Sequence, residues 1–559
     1  MKRTSLGRRH CLLALGLSGT LLAACAAGGP TDGERPNAGE GSPNGGAAAP
    51  PGPPPPSDNV IDVAIWPRMV AAGATKLAPA SSGELCRRVS LDLLGAAPTS
   101  GEVAMRCTGK SALEMARAAM ADPRYIAREQ RLWIQHLRPD PTEVQADHIV
   151  DGDKIIARFA KGEIGYDTFA AQLLGHPVMA INRRVIPGGD DLTDISRNAF
   201  RVFLGRAPLT SEAVDFSHLY LLWHRDFVPV DGFNYYVRPA RLRAERCAYT
   251  AAGCSSTLLG PPTSIDLPEG QRDVPYLDFQ GNVPPAVQTE LEKPGRLLAM
   301  RAEFWEHSAD QALRRFLGWW EASAAQPDTV VPEVRLALAS WFRATPGRDV
   351  RTLYETIITS LLYTTTSELD PIAGADPPPW TMGPMKPMSP EQWLDSISVA
   401  IERPLGFCDM HTNEPPGRNW YWANRLRTPA PTGLTVESNF YFDNAQALGG
   451  CLGGVAPPSA PGMPSFLTQI DVGERLCKFD VASKLAPTGF DASDASEANL
   501  ERLVAFQFGH FLTRAPYPDE VKTITETAGT CLPDMSCGVK LFAEQLCGAL
   551  TRSSSFYFY

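Results

Sequence analysis

The sequence predicts a mainly α protein, a multi-helix bundle built from recurring helix-turn-helix units with long Pro/Gly-rich loops. Three observations carry this. Apolar residues recur at helical spacing through most of the chain, one turn phrase occurs three times, and alternating segments that would read as strands are few.

The helical pattern is clearest at Leu113–Met120, where apolar residues fall near i, i+3 and i+7 among helix formers. Similar patterns run from Phe169 to Leu174, Val214 to Trp223, Leu297 to Trp320, Val334 to Phe342 and Leu353 to Leu362. They recur from Trp393 to Ile401, Leu500 to Leu512 and Leu541 to Leu550.

The turn phrase is Leu94-Gly95-Ala96-Ala97-Pro98-Thr99-Ser100-Gly101-Glu102-Val103. It aligns without gaps on Leu204–Ala213 and Leu512–Val521. A helix is expected to end at each Leu, with Gly95 or Gly205 taking the left-handed terminal conformation and Pro barring continuation. The next helix is expected near Ser100, Thr210 or Pro518. It carries a Glu in its first turn, where negative charge meets the positive end of the helix dipole. Residues 99–102 also fit a capping box. The copies lie too far apart for a solenoid, so the unit is expected to be reused within a larger bundle. Around Tyr125, Tyr363 and Tyr557 an aromatic follows a helix end, and each is expected to staple onto the core.

The beginning of the chain predicts an address. Lys2, Arg3, Arg8 and Arg9 form a positive segment without acids. The apolar run that follows is shorter than the roughly 20 residues needed to span a bilayer. It ends in Leu22-Ala23-Ala24-Cys25, which resembles the lipobox of bacterial lipoproteins. The resemblance implies acylation of Cys25, removal of residues 1–24 and, with Ala26 next, the outer membrane rather than the inner. Arg8-Arg9 leaves twin-arginine export open beside the general route. Residues 25–58 are rich in Gly, Pro and Ala and end near Pro50-Pro51-Gly52-Pro53-Pro54-Pro55-Pro56. They cannot bury a core and read as a tether. The expected organisation continues with an N-terminal helical domain at 59–256, a loop-rich connection at 257–286, a central helical segment at 287–370 and a C-terminal helical domain at 371–559. Long loops are expected at 257–286, 370–390, 412–434 and 453–464.

The net charge is −10, and removal of the four leader cations takes it to −14. Such a chain lacks the basic surface that nonspecific nucleic-acid binding needs, so no nucleic-acid partner is expected. The basic run Arg238–Arg246 reads as a solvated loop. Apart from Cys11 and Cys25, ten cysteines remain: Cys86, Cys107, Cys247, Cys254, Cys408, Cys451, Cys477, Cys531, Cys537 and Cys547. An even number in an exported chain predicts disulfides. Cys247 with Cys254, Cys86 with Cys107, and Cys531 with either Cys537 or Cys547 are local candidates, and the full connectivity stays open.

Few motifs carry chemistry. Thr108-Gly109-Lys110-Ser111 has the tail of a phosphate loop, but Ala104 stands where an earlier Gly is required, so a helix start is the better reading. Cys408-Asp409-Met410-His411 holds metal-ligand types, yet a disulfide at Cys408 is favoured and no metal is expected. His218 and His224 are six apart and do not share a helix face. Asp190, Asp191 and Asp194 read as a charged first helical turn. Asp491, Ser493 and Asp494 read as helix capping, since they lack the Gly and terminal Glu of a calcium loop. There is no His-Glu-x-x-His and no Gly-x-Ser-x-Gly in the body. The catalytic residues, if any, are unknown. Trp420, Tyr421 and Trp422, in a Pro/Gly-rich loop, are the candidate binding aromatics.

Arg88-Val89-Ser90-Leu91-Asp92-Leu93-Leu94-Gly95, with Pro98 and Glu102, resembles the opening of large secreted families of unknown function described in planctomycetes as cytochrome-c-associated. Asp122-Pro123-Arg124-Tyr125 through Trp133 is similar to the continuation. Gly383-Pro384 through Glu391-Gln392 and Asp395 resembles a later helix of the partner region. The resemblance transfers no catalytic residue. Some relatives carry a Cys-x-x-Cys-His haem site, but no two cysteines here are spaced by two residues, so covalent haem is excluded and no cofactor is expected. The expected function is a lipid-anchored envelope protein acting as a binding or scaffold component, with the membrane and an envelope protein or glycan as partners. An envelope hydrolase acting on a polymer and a partner of a secreted electron-transfer system are the alternatives.

Overall fold

The computed structural model describes residues 55, 57–73, 77–137, 154–176, 191–217, 221–226, 241–246, 264–266, 285–318, 331–367, 383–403, 405, 440–448, 450, 463–478, 484–531 and 538–559. The described chain is mainly helical, as expected. Its first half holds α1 (Val60–Ala71), α2 (Ser82–Leu93), α3 (Ser100–Arg106), α4 (Ala112–Met120), α5 (Pro123–Leu137), α6 (Tyr166–Gly175), α7 (Asp191–Leu204) and α8 (Thr210–Ser217). Then come α9 (Pro285–Ala299), α10 (Ala302–Leu317), α11 (Pro332–Ala344), α12 (Val350–Ile358) and α13 (Leu361–Thr364). The second half holds α14 (Pro390–Ala400), α15 (Phe440–Ala447), α16 (Met463–Leu476), α17 (Glu497–Gln507), α18 (Pro518–Cys531), α19 (Val539–Arg552) and α20 (Ser554–Tyr557).

Two large apolar cores organise these helices, beside a small cluster of Leu500, Ala528 and Val539. The N-terminal core runs from Ile61 to Tyr363 and the C-terminal core from Met388 to Tyr559. The first is rich in aromatic rings. Phe159 stacks on Phe169 at 4.1 Å, Trp133 and Tyr166 pack against both, and Phe203, Phe304 and Trp305 extend the cluster from Tyr166. Such pairs add about 0.5–1.5 kcal/mol each beyond area burial. Helix α2 serves both cores, with Val89 and Leu93 in the first and Leu91 in the second.

All three turn phrases form the expected unit. Gly95 and Gly205 have φ of 83° and 69°, and Thr513 takes the same left-handed conformation at 59°. Thr99 and Glu102 close a capping box on α3. In the second and third copies a further device appears. Arg206 and Arg514 each pair with the Glu six residues on, Glu212 and Glu520, at 2.8 and 2.7 Å. Each also lies over the Phe six residues back, Phe200 and Phe508. Those glutamates accept from the backbone N–H groups of Leu209 and Tyr517, which starts α8 and α18. The first copy has Ser90 and Ala96 at the equivalent positions, and Arg106 and Arg124 reach Glu102 instead.

Several expectations need correction. The helix read from Val214 to Trp223 stops at Ser217, and Leu221–Asp226 is a strand. It pairs antiparallel with Arg241–Arg246, which pairs with Ser264–Asp266, so most of the basic run read as a loop is a strand. A short apolar run fits helix and strand equally, and the neighbouring chain supplies the ladder partners. The helix read from Leu297 to Trp320 breaks at Met300–Arg301, where the Trp305 indole N–H donates to the Ala299 carbonyl at 2.9 Å. The run from Leu353 to Leu362 likewise breaks, at Thr359–Ser360. Cys86 pairs with Cys107, but Cys547 pairs with Cys477 rather than Cys531. Packing of α16 on α19 brings these two cysteines to a Cα separation of 5.7 Å across 70 residues.

Candidate functional site

Where the two cores meet, the chain buries a cluster of charges. It starts from Arg87 and Arg88. Successive helical residues point about 100° apart, so this pair faces two directions. Arg87 donates to the carbonyls of Phe511 and Phe556 in the C-terminal core, both at 2.8 Å. Arg88 donates to those of Tyr363 and Thr365 in the N-terminal core, at 2.6 and 2.8 Å, and pairs with Glu84. These carbonyls lie at helix ends, where intrahelical donors run out.

Asp92 lies one turn beyond Arg88 and is 2% exposed. It accepts hydrogen bonds from Tyr363 of one core at 2.9 Å and Tyr559 of the other at 3.0 Å, and pairs with Lys386. Lys386 also donates to the Arg315 carbonyl at 3.0 Å and sits over the Tyr559 ring. Burial lowers the Lys386 ammonium to about 8 against the opposing pull of Asp92. Burial, reinforced by Asp92, raises both tyrosine hydroxyls well above their ordinary range. Behind this group, Arg315 pairs with buried Glu129 at 2.6 Å, and its other branch donates to the Asp92 carbonyl.

The segment that delivers Lys386 is held closely. A side chain on Gly383 would run into the Thr365 carbonyl and crowd the Arg88 guanidinium. Ser389 then caps α14 with Gln392 in a capping box. The same Gln392 side chain reaches across the seam to the Leu91 carbonyl at 2.8 Å and the Tyr559 hydroxyl at 3.2 Å. One turn on, Asp395 pairs with Arg131 of α5 and accepts from Tyr441.

The three sequence patches that carried the family resemblance therefore converge on one seam. Asp92, Gln392 and Asp395 were visible in those patches. Arg128, Glu129, Arg131 and Lys386 also lie within them and Tyr363 was read as a core staple, but their joining in one network with Arg87, Arg315 and Tyr559 carries no local signal, because a buried pair such as Asp92 and Lys386 is 294 residues apart in sequence. Within it, Asp92 has a donor on each carboxylate oxygen, and a group matched in this way rigidifies the structure around it.

The candidates Leu22, Ala23, Ala24, Cys25, Trp420, Tyr421 and Trp422 lie outside the described residues, as do Cys247, Cys254, Cys408, Cys451 and Cys537. Ser111 caps α4 as expected, and Ser493 and Ser496 donate to Asp491 and Asp494 in the turn before α17. Among the described residues, no group of three or more His, Cys, Asp or Glu is placed to hold a metal ion, and no helix is long and apolar enough to cross a membrane.

Residues 60–203 match the family described as PSCyt2, protein of unknown function (DUF1549). The matched stretch contains α2 and the Arg128–Arg131 face of α5. No curated protein and no solved structure matches the chain.

Proposed function

We propose that the chain is a lipid-anchored cell-envelope protein that holds a rigid binding or scaffold body away from the membrane. The observation that carries this reading is the sequence between the lipobox-like Leu22–Cys25 and the first folded helix. It is rich in Gly and Pro and ends at a firm attachment. Asn59 caps α1 and ties it to the Thr356 carbonyl of α12 and the hydroxyl of Thr359 at its end, at 2.7 and 3.2 Å. Pro-rich chain extends about 3.1 Å per residue, which gives the body standoff. Acyl chains on Cys25 would supply the anchor, since each buried CH2 contributes about 0.8 kcal/mol. The outer membrane is favoured, with an envelope protein or glycan as partner. A second reading, a polymer hydrolase, rests on Trp420-Tyr421-Trp422.

The test is metabolic labelling with a palmitate analogue, followed by detergent phase partition. Cys25→Ala is expected to lose the label and move to the aqueous phase. A label retained by the variant, or a wild-type chain in the aqueous phase, would overturn the anchor. Deleting residues 418–423 tests the second reading: unchanged binding to polysaccharide and peptidoglycan removes its basis.

A further inference from the structure

Arg128 stands apart from the other cations of the seam. It is 8% exposed on α5, and its Nε is enclosed without a partner. Among the described residues, no hydrogen bond or ion pair reaches its guanidinium. Arg131 follows it on the same helix face, with one branch on Asp395 at 3.0 Å and its Nε also unpartnered. The two side chains lie together over the left-handed turn after α2. A Cβ on Gly95 would be 3.0 Å from both Arg128 Cδ and Arg131 Nη2. Nearby charge is matched elsewhere, Arg131 by Asp395 and Arg315 by Glu129. Burial and the like charges of Arg131 and Arg315 lower Arg128 to about 10, while Tyr559 and Glu391 pull the other way without bonding to it.

Burying an unmatched guanidinium costs several kcal/mol, and its planar fork of donors suits an oxyanion. We propose that Arg128 and Arg131 form a binding site for a small oxyanion, a carboxylate or phosphate group, held over the Gly95 turn where the two cores meet. Bound there, the oxyanion takes parallel N–H donors from Arg128 and the free edge of Arg131. Occupancy thereby becomes linked to the alignment of the cores. The site goes beyond the anchor reading and stands without it.

The experiment uses the full-length protein in detergent. Thermal unfolding and calorimetry follow titration with inorganic phosphate and, separately, acetate, against chloride at matched ionic strength. A saturable rise in the unfolding midpoint with phosphate alone, acetate alone or both supports the site and sorts its ligand class. Arg128→Gln is expected to weaken binding at least ten-fold, while Arg128→Lys keeps part of it. Arg131→Gln gives a second variant with the same expectation, should Arg128→Gln fail to fold. No saturable response in the wild-type protein beyond chloride, or a folded variant that responds like wild type, would overturn the proposal.

Discussion

The N-terminal and C-terminal cores finish in the same way and are fastened differently. Each ends with a helix, a serine cap, a four-residue helix and an extended residue that forms an isolated bridge. In the first these are α12, Ser360, α13 and Thr365 against Pro79; in the second, α19, Ser553, α20 and Phe558 against Pro387. The disulfide on the N-terminal side closes a span of 21 residues between α2 and the end of α3. The other joins α16 to α19 across 70. The first core also buries more aromatic rings. The lesson is that one closing device serves two differently built cores when a shared helix supplies its missing donors. Arg87 answers one set of carbonyls and Arg88 the other.

The strongest way to break this pairing is to remove Asp92. Asp92→Ala leaves Lys386 buried without its acid, and loss of one partner of such a pair costs about 3–5 kcal/mol. Denaturant unfolding is expected to shift by that amount and to separate into two transitions, with Trp133 and Trp305 reporting one core and Trp393 the other. A single unshifted transition would mean the seam does not couple them.

Replacing disulfides compares the fastenings directly. Loop-closure entropy predicts a loss of about 4 kcal/mol for Cys477→Ser with Cys547→Ser, against about 3 kcal/mol for Cys86→Ser with Cys107→Ser. Equal losses, or the reverse order in thermal unfolding, would show that native-state packing outweighs the span closed.

Acid sharpens the contrast. Burial holds His176 and His307 of the N-terminal part down to about 3, the latter helped by nearby His136. The unfolded chain takes up protons near 6.5, whereas these folded imidazoles stay neutral. Stability is therefore full above about 6.5 and falls as pH drops towards 3, by about 1.4 kcal/mol per pH unit for each histidine. His510 in the C-terminal core is also lowered by burial. Trp133 and Trp305 fluorescence is expected to change at higher pH than that of Trp393, and the opposite order would refute the assignment.

Much of the helical frame was legible because its signals are local. Thr99 and Glu102, or Ser111 and Glu114, announce a helix start within four residues. The Leu-x-x-x-Pro phrase announced three turns, including the one where Thr513 replaces glycine. The Phe-x5-Arg-x5-Glu pattern around Arg206 and Arg514 was equally present but went unread, because its spacing of six belongs to a turn rather than to one helix face. Helix breaks at Met300 and Thr359 were hidden by apolar periodicity that continues across them. The Cys477–Cys547 bond and the seam were beyond reach for another reason. Both join residues brought together by packing, and α5 shows no local sign that Arg128 and Arg131 face Gly95 rather than water.

The neighbouring arginines of α2 also restrict how this chain can change over time. One residue inserted or lost between Glu84 and Asp92 would turn part of the helix by about 100°. Arg87 and Arg88 could then no longer both meet their carbonyls while Asp92 meets Lys386. Loops elsewhere can lengthen or shorten between related chains, but this stretch of α2 is expected to vary only by substitution, keeping a fixed count of residues as its other features drift.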